Sequence, residues 1–145
     1  MKKKPKILVV ASRYNEPKEL VKSAWQELDK SNVLHDSLFC NGAFEIPVTI
    51  SRNIKSYDAF IAIGIIIKGE TPNFDFISQA ITNGIMDLSI LHKKPIGNAI
   101  LTCLNSEQIK QRTHKGEEAV KAVLDVLDPN NNHNGIKFKN RKWFH

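Results

Sequence analysis

Apolar and polar positions follow two rhythms along this chain. Ile7-Leu8-Val9-Val10-Ala11 is an unbroken β-prone run, the pattern of a strand covered on both faces. The run stops at Ser12-Arg13-Tyr14-Asn15, and Leu20, Val21, Ala24, Trp25 and Leu28 then recur at helical spacing. Asn15 is expected to cap that helix, with Pro17 in its first turn. Residues 37–40 predict a short second strand broken by Asn41-Gly42, and residues 44–54 a second helical segment with Pro47 in its first turn. Residues 57–67 are the most apolar stretch and predict a buried strand; residues 68–72 read as a loop. Ile77, Ala80, Ile81, Gly84, Ile85, Leu88 and Leu91 mark a long amphipathic helix starting near Phe74. Residues 95–102 predict a fourth strand. A last helix is expected to begin at residues 106–112, to be disturbed at Gly116, and to continue through Ala119, Val120, Val123, Leu124 and Leu127 until Asp128-Pro129 ends it.

Strands that alternate with helices and are apolar throughout predict an α/β fold: a flavodoxin-like, doubly wound, four-stranded parallel sheet in three α/β/α layers. No repeat and no linker divides residues 6–128, so one domain is expected there, with residues 1–5 and 129–145 as basic tails. With 41% hydrophobic and 25% charged residues over 145 positions, the chain falls outside the collagen-like, low-complexity and disordered classes. It is long enough to bury a core of its own.

The net charge of +6 invites a nucleic-acid reading, but its distribution weakens that reading. Lys2, Lys3, Lys4 and Lys6 carry four charges at the start, and Lys137, Lys139, Arg141 and Lys142 carry four near the end, with no acid in either segment. The 122 residues between them sum to −2. Cys40 and Cys103 lie in apolar stretches without metal-ligand spacing and are expected to be buried free thiols. His35, His92, His133 and His145 share no spacing suited to a metal and read as surface residues. No apolar run approaches the roughly 20 residues of a membrane span, and none follows the basic start as a secretory signal requires. A cytoplasmic location is the expectation.

In doubly wound sheets, ligands bind beyond the carboxyl ends of the strands. The loops expected there offer Tyr14 as a ring that either stacks on a planar ligand or packs on the surface. Glu45 is either a ligand acceptor or a helix-start acid. Thr71, after Gly69-Glu70, is either an N-cap or part of an anion site at a helix start. Arg112 and Lys115, flanking His114, are either phosphate ligands or solvated charges. Neither a P-loop nor a GxGxxG motif is present.

Four loops in order resemble one family. They are Arg13-Tyr14-Asn15-Glu16, Gly42-Ala43-Phe44-Glu45-Ile46-Pro47, the segment from Lys68-Gly69-Glu70-Thr71-Pro72-Asn73 to Phe76, and Lys115-Gly116-Glu117-Glu118-Ala119. Together they are similar to lumazine synthase, over about residues 6–127. The resemblance implies condensation of 5-amino-6-(D-ribitylamino)uracil with 3,4-dihydroxy-2-butanone 4-phosphate, in riboflavin biosynthesis, with no metal and no redox cofactor. It implies that Tyr14 stacks on the pyrimidine and that Ala43, Phe44 and Glu45 contact the ribityl-pyrimidine. Ile65, Ile66 and Ile67 would line the pyrimidine edge, and Glu70, Thr71 and Arg112 would hold the phosphate. His114 and Lys115 are further candidates.

Three departures stand out against that family. Its proton-transferring histidine falls at Asn73, where an amide hydrogen-bonds but does not exchange a proton near neutral pH. His114 or the substrate phosphate is then the candidate proton carrier. An aromatic residue supplied by the neighbouring subunit falls at Asn98, and the loop between Arg112 and Lys115 is about five residues shorter than the common form. The resemblance further implies a homo-oligomer, a pentamer or a sixty-subunit icosahedral shell, with each site between adjacent subunits. Riboflavin synthase is a candidate partner; nucleic acid and membrane are not. Asn73 and Asn98 together also frame an alternative, a weakly active or non-catalytic member that binds a ribityl-pyrimidine or flavin.

Overall fold

Runs as apolar as residues 7–11 and 59–65 are stable only where both faces of the sheet are covered, which parallel pairing with crossover helices provides. A computed structural model describes residues 3–69 and 72–129. Its strands are β1 (Lys6–Ser12), β2 (Leu34–Cys40), β3 (Ala59–Ile67) and β4 (Ile96–Cys103). All pair in parallel in the order β2-β1-β3-β4. The helices are α1 (Lys18–Lys30), α2 (Ile46–Arg52), α3 (Asn73–His92), α4 (Glu107–Lys110) and α5 (Lys115–Leu127), with a 3₁₀ turn at Ala43–Glu45 ahead of α2. This is the expected flavodoxin-like, three-layer arrangement.

The period of two along each strand divides the core. Ile7, Val9 and Ala11 of β1 join Ile61, Ile63, Leu101 and Cys103 beneath Leu20, Ala24 and Leu28 of α1 and Val120 and Val123 of α5. Leu8 and Val10 face the other way, with Phe60 and Ala62, against Ile46 and Ile50 of α2 and Ile81 and Ile85 of α3. Two glycines let the first layer close. A Cβ on Gly97 of β4 would lie 2.6 Å from the Ala119 carbonyl oxygen, and one on Gly116 of α5 would press into the Leu20 carbonyl of α1.

Several expectations are corrected. Gly116 does not disturb a helix: it is buried in the first turn of α5, where its missing side chain admits α1. The interruption lies earlier, at residues 111–114, so the last helix is two helices, α4 and α5. Asn15 does not cap α1. It has φ 64° and sends its amide to the Ile65 carbonyl, while Pro17 occupies the cap position without a side-chain bond. Strand β2 starts at Leu34, three residues earlier than expected. Both cysteines are free, but Cys40 is half-buried where Cys103 is buried. Among the described residues no helix is long and apolar enough to cross a membrane. Expectations for His133, His145 and residues 130–145 fall outside the described residues.

Candidate active site

The chain leaves β1 for β2 on one side and returns to β3 on the other, so the sheet reverses its winding between β1 and β3. The carboxyl ends of those two strands therefore diverge and leave a crevice. A cavity of about 230 Å³ opens there, lined by Tyr14, Asn15, Gly42, Ala43, Phe44, Ile65, Ile66, Ile67 and Ile77. Three loops build it, and each is tied down by its own bonds.

The first loop follows β1. The Arg13 N–H donates to the Cys40 carbonyl (2.9 Å) and the Tyr14 N–H to the Asn41 carbonyl (3.1 Å), which fixes the loop to the end of β2. Asn15 and Glu16 are both left-handed, at φ 64° and 50°; asparagine tolerates this, whereas glutamate adopts it at a cost. The Asn15 Nδ2 donates to the Ile65 carbonyl oxygen at 3.0 Å, spanning the crevice from β1 to β3. Between these anchors the Tyr14 side chain is 71% exposed at the edge of the cavity it lines.

The second loop is the 3₁₀ turn. A Glu45 Oε1 accepts from the Gly42 N–H at 2.9 Å, and the Glu45 N–H donates to the Gly42 carbonyl at 3.2 Å. Glu45 is thus a capping acid in this structure, and a ligand hydroxyl would compete with the Gly42 N–H for its carboxylate. Phe44 is 60% exposed, whereas Ala43 is buried and packs towards Gly64. Beneath them the Cys40 thiol is pushed above its ordinary value, first by burial and then by the Glu45 charge.

The third wall is the end of β3, residues 65–67, which pair with Leu101–Cys103 of β4 and line the cavity, with the Ile65 carbonyl already taken by Asn15. Asn73 opens α3 beyond it. Glu70 and Thr71 lie outside the described residues. The remaining candidates are not gathered in the cavity. Asn98 is exposed on β4, where its Oδ1 accepts from the Ile100 N–H at 3.0 Å. Arg112 follows α4, and its guanidinium donates to the Thr102 carbonyl at 3.3 Å. His114 and Lys115 both reach Glu118, at 3.6 and 3.1 Å. Asn15, Gly42 and Ile77 line the cavity without having been singled out in sequence. For Asn15 the available signal was its tolerance of left-handed backbone next to a strand end.

Relatives of the whole chain identify its family. The family described as 6,7-dimethyl-8-ribityllumazine synthase matches residues 4–130. The chain is 37% identical over 137 residues to the 6,7-dimethyl-8-ribityllumazine synthase of Bartonella tribocorum, covering 88% of this chain and 91% of that one. It is 33% identical over 139 residues to that of Agrobacterium fabrum (86% and 94%), and 35% identical over 137 residues to that of Sulfurimonas denitrificans (85% and 88%). A match that runs through every element of the sheet, to relatives of nearly its own length, shows that the chain belongs to the 6,7-dimethyl-8-ribityllumazine synthase family.

Proposed function

We propose that this crevice is half of a condensing site, and that a neighbouring copy supplies the other half. The reaction is the family's: 5-amino-6-(D-ribitylamino)uracil and 3,4-dihydroxy-2-butanone 4-phosphate give 6,7-dimethyl-8-ribityllumazine, phosphate and water, which makes the chain a transferase of riboflavin biosynthesis. The single observation that carries the site assignment is the gathering of Tyr14, Ala43, Phe44 and residues 65–67 around one cavity at the winding reversal.

In this reading Tyr14 stacks on the pyrimidine, backbone groups of residues 65–67 bond its edge, and Glu45 turns from Gly42 to the ribityl hydroxyls. Glu70, Thr71 and Arg112 hold the phosphate. The pyrimidine's primary amine attacks the ketone carbonyl, and loss of water gives an imine. Phosphate leaves by elimination, and the second amine attacks the remaining carbonyl and closes the ring with loss of a second water. Proton transfers pass through His114 or the departing phosphate, because Asn73 cannot carry them. Holding two substrates in register contributes about 7–11 kcal/mol, more than acid–base help does.

Two features support assembly. A cavity of about 230 Å³ is smaller than the roughly 300–1,000 Å³ that pockets for such ligands occupy. Phe76, Ile90 and Leu91 of α3 are each about two-thirds exposed or more, and α2 exposes Val48, apolar surface that a neighbouring copy would cover. A pentamer or a sixty-subunit shell covers both, with Asn98 and Arg112 of one copy reaching the crevice of the next. Residues 6–128 form the single domain of this assembly, riboflavin synthase is its candidate partner, and the two free thiols suit the cytoplasm. Purified protein is mixed with both substrates and lumazine absorbance is followed. Turnover above the uncatalysed background is expected; background alone refutes the enzyme reading, and a monomer by light scattering refutes the shared site.

A further inference from the structure

The end of the sheet opposite the crevice has a chemistry of its own. Parallel strands put all four amino ends at one pole, about 20 Å from the crevice at roughly 3.3 Å per residue. A cleft of about 670 Å³ opens there, lined by Lys3, Lys4, Pro5, Lys6, Leu34, Lys55, Ser56, Tyr57, Asp58 and Leu127. Lys93 and Lys94 adjoin it, since the Lys94 ammonium donates to the Ile54 carbonyl at 2.6 Å. Among the described residues every lysine–carboxylate ion pair lies on α1 or α5, and none involves Lys3, Lys4, Lys6, Lys55, Lys93 or Lys94. The nearby acids are already engaged: Asp58 accepts from the Lys6 N–H (2.8 Å) and Asp36 from the Tyr57 hydroxyl (2.7 Å).

We infer that this basic pole docks an acidic peptide segment of a partner protein, with the carboxylates on Lys3, Lys4 and Lys55 and an apolar side chain against Leu34 and Leu127. Two observations select that occupant. The aromatic ring in the cleft is already taken, with the Lys6 ammonium 5.1 Å from the Tyr57 centroid, so no stacking platform is free for a base. Among the described residues no arginine lines the cleft, and Leu34 is half exposed beside the lysines, which favours carboxylates plus an apolar anchor over a phosphate track.

The test uses the full chain and a fluorescein-labelled, Glu-rich peptide with a central Leu-Phe pair, followed by anisotropy. Parallel arms use the same peptide with Gly-Gly in place of Leu-Phe, and a single-stranded oligonucleotide of equal charge. The anchored peptide is expected to bind best and to weaken at least about tenfold when salt rises from about 0.05 to about 0.3 M. The combined change Lys3→Glu, Lys4→Glu, Lys55→Glu touches exposed side chains at the pole away from the crevice. It should weaken peptide binding at least about tenfold while lumazine formation stays unchanged. Leu34→Ser should abolish the preference for the anchored peptide and keep the salt dependence. Peptide binding within about twofold of native in the triple variant overturns the inference. So does tighter binding of the oligonucleotide than of the peptide, which makes the pole a nucleic-acid surface. A change of assembly size in the triple variant, with peptide binding unaltered, overturns it in favour of a contact between copies.

Discussion

Replacing Gly97 by alanine tests whether the α5 layer is set by backbone contact. The added Cβ would lie 2.6 Å from the Ala119 carbonyl oxygen, 3.0 Å from a Val123 methyl and 3.1 Å from the Ala119 carbonyl carbon. Carbon–oxygen contacts rest at about 3.3–3.6 Å, so α5 must retreat by roughly 0.7–1 Å. A gap of that size forfeits a quarter to a half of the dispersion well along the contact. The residues that lose contact, Val120 and Val123, are fully buried. Overpacking of this kind costs about 1–3 kcal/mol, against which the stiffer unfolded chain returns about 0.4–1 kcal/mol. The expected net loss is about 1–2 kcal/mol, or a midpoint lower by roughly 2–8 °C for a chain of this size. The measurement is thermal and urea unfolding at one fixed protomer concentration, because assembly makes the midpoint concentration-dependent. Gly69→Ala is the control: among the described residues nothing lies within 4 Å of its Cβ, so its midpoint should hold or rise slightly. Gly97→Ala unfolding at or above the native midpoint would refute the reasoning.

Three other outcomes follow from the site. Asn73→His should raise turnover by up to about 10²–10⁴-fold with little change in substrate affinity, read by steady-state kinetics; an unchanged rate and pH profile would show no proton traffic at position 73. Arg112→Ala should raise KM for the phosphate-bearing substrate at least about tenfold more than for the pyrimidine, and equal effects on both would remove its phosphate role. The Cys40 thiol, raised by burial and by Glu45, should alkylate more slowly near pH 8 than in the unfolded chain, and Glu45→Gln should speed it. Because the folded thiol holds its proton more tightly, its contribution to stability is intact below the ordinary thiol pKa and is lost as pH rises through the raised value, which unfolding titrations would detect.

The parts of this fold that follow local rules were legible in sequence. Residues 7–11 and 59–65 are apolar on both sides because both sides are covered, and strand order then placed the crevice before any site residue was weighed. The parts that escaped depend on distant partners. His35 and Asp36 lie at the start of β2, yet they read as polar because it is an edge strand; His35 meets Asp29 at 2.8 Å and Asp36 meets Tyr57. Asn15 reads locally as a cap, and only the Ile65 carbonyl, fifty residues on, shows otherwise. Gly116 reads as a helix fault because propensity cannot see α1 across the interface. Asn98 and Arg112 lie outside the cavity on their own chain, so the roles proposed for them call for a second copy, and Asn98 was a candidate only through family resemblance.

Two amides, Asn73 and Asn98, stand where the resemblance leads one to expect a proton carrier and an aromatic wall. Acid–base help of 10²–10⁴ corresponds to about 2.7–5.4 kcal/mol of barrier, whereas holding two substrates in reacting geometry is worth about 7–11 kcal/mol. The bonds that fix the crevice geometry run from Arg13 and Tyr14 to the end of β2, from Asn15 to Ile65, and from Gly42 to Glu45. Asn98 also keeps a defined orientation, since the Ile100 N–H can only donate and so holds the Oδ1; the Nδ2 is thereby turned outward as a donor. In the proposed reading substrate positioning, the greater share of the barrier lowering, rests on Tyr14, Glu45 and residues 65–67, whereas the amide at Asn73 withdraws only acid–base help, the lesser share. That makes a slower condensing enzyme, rather than a passive binder, the consequence of Asn73.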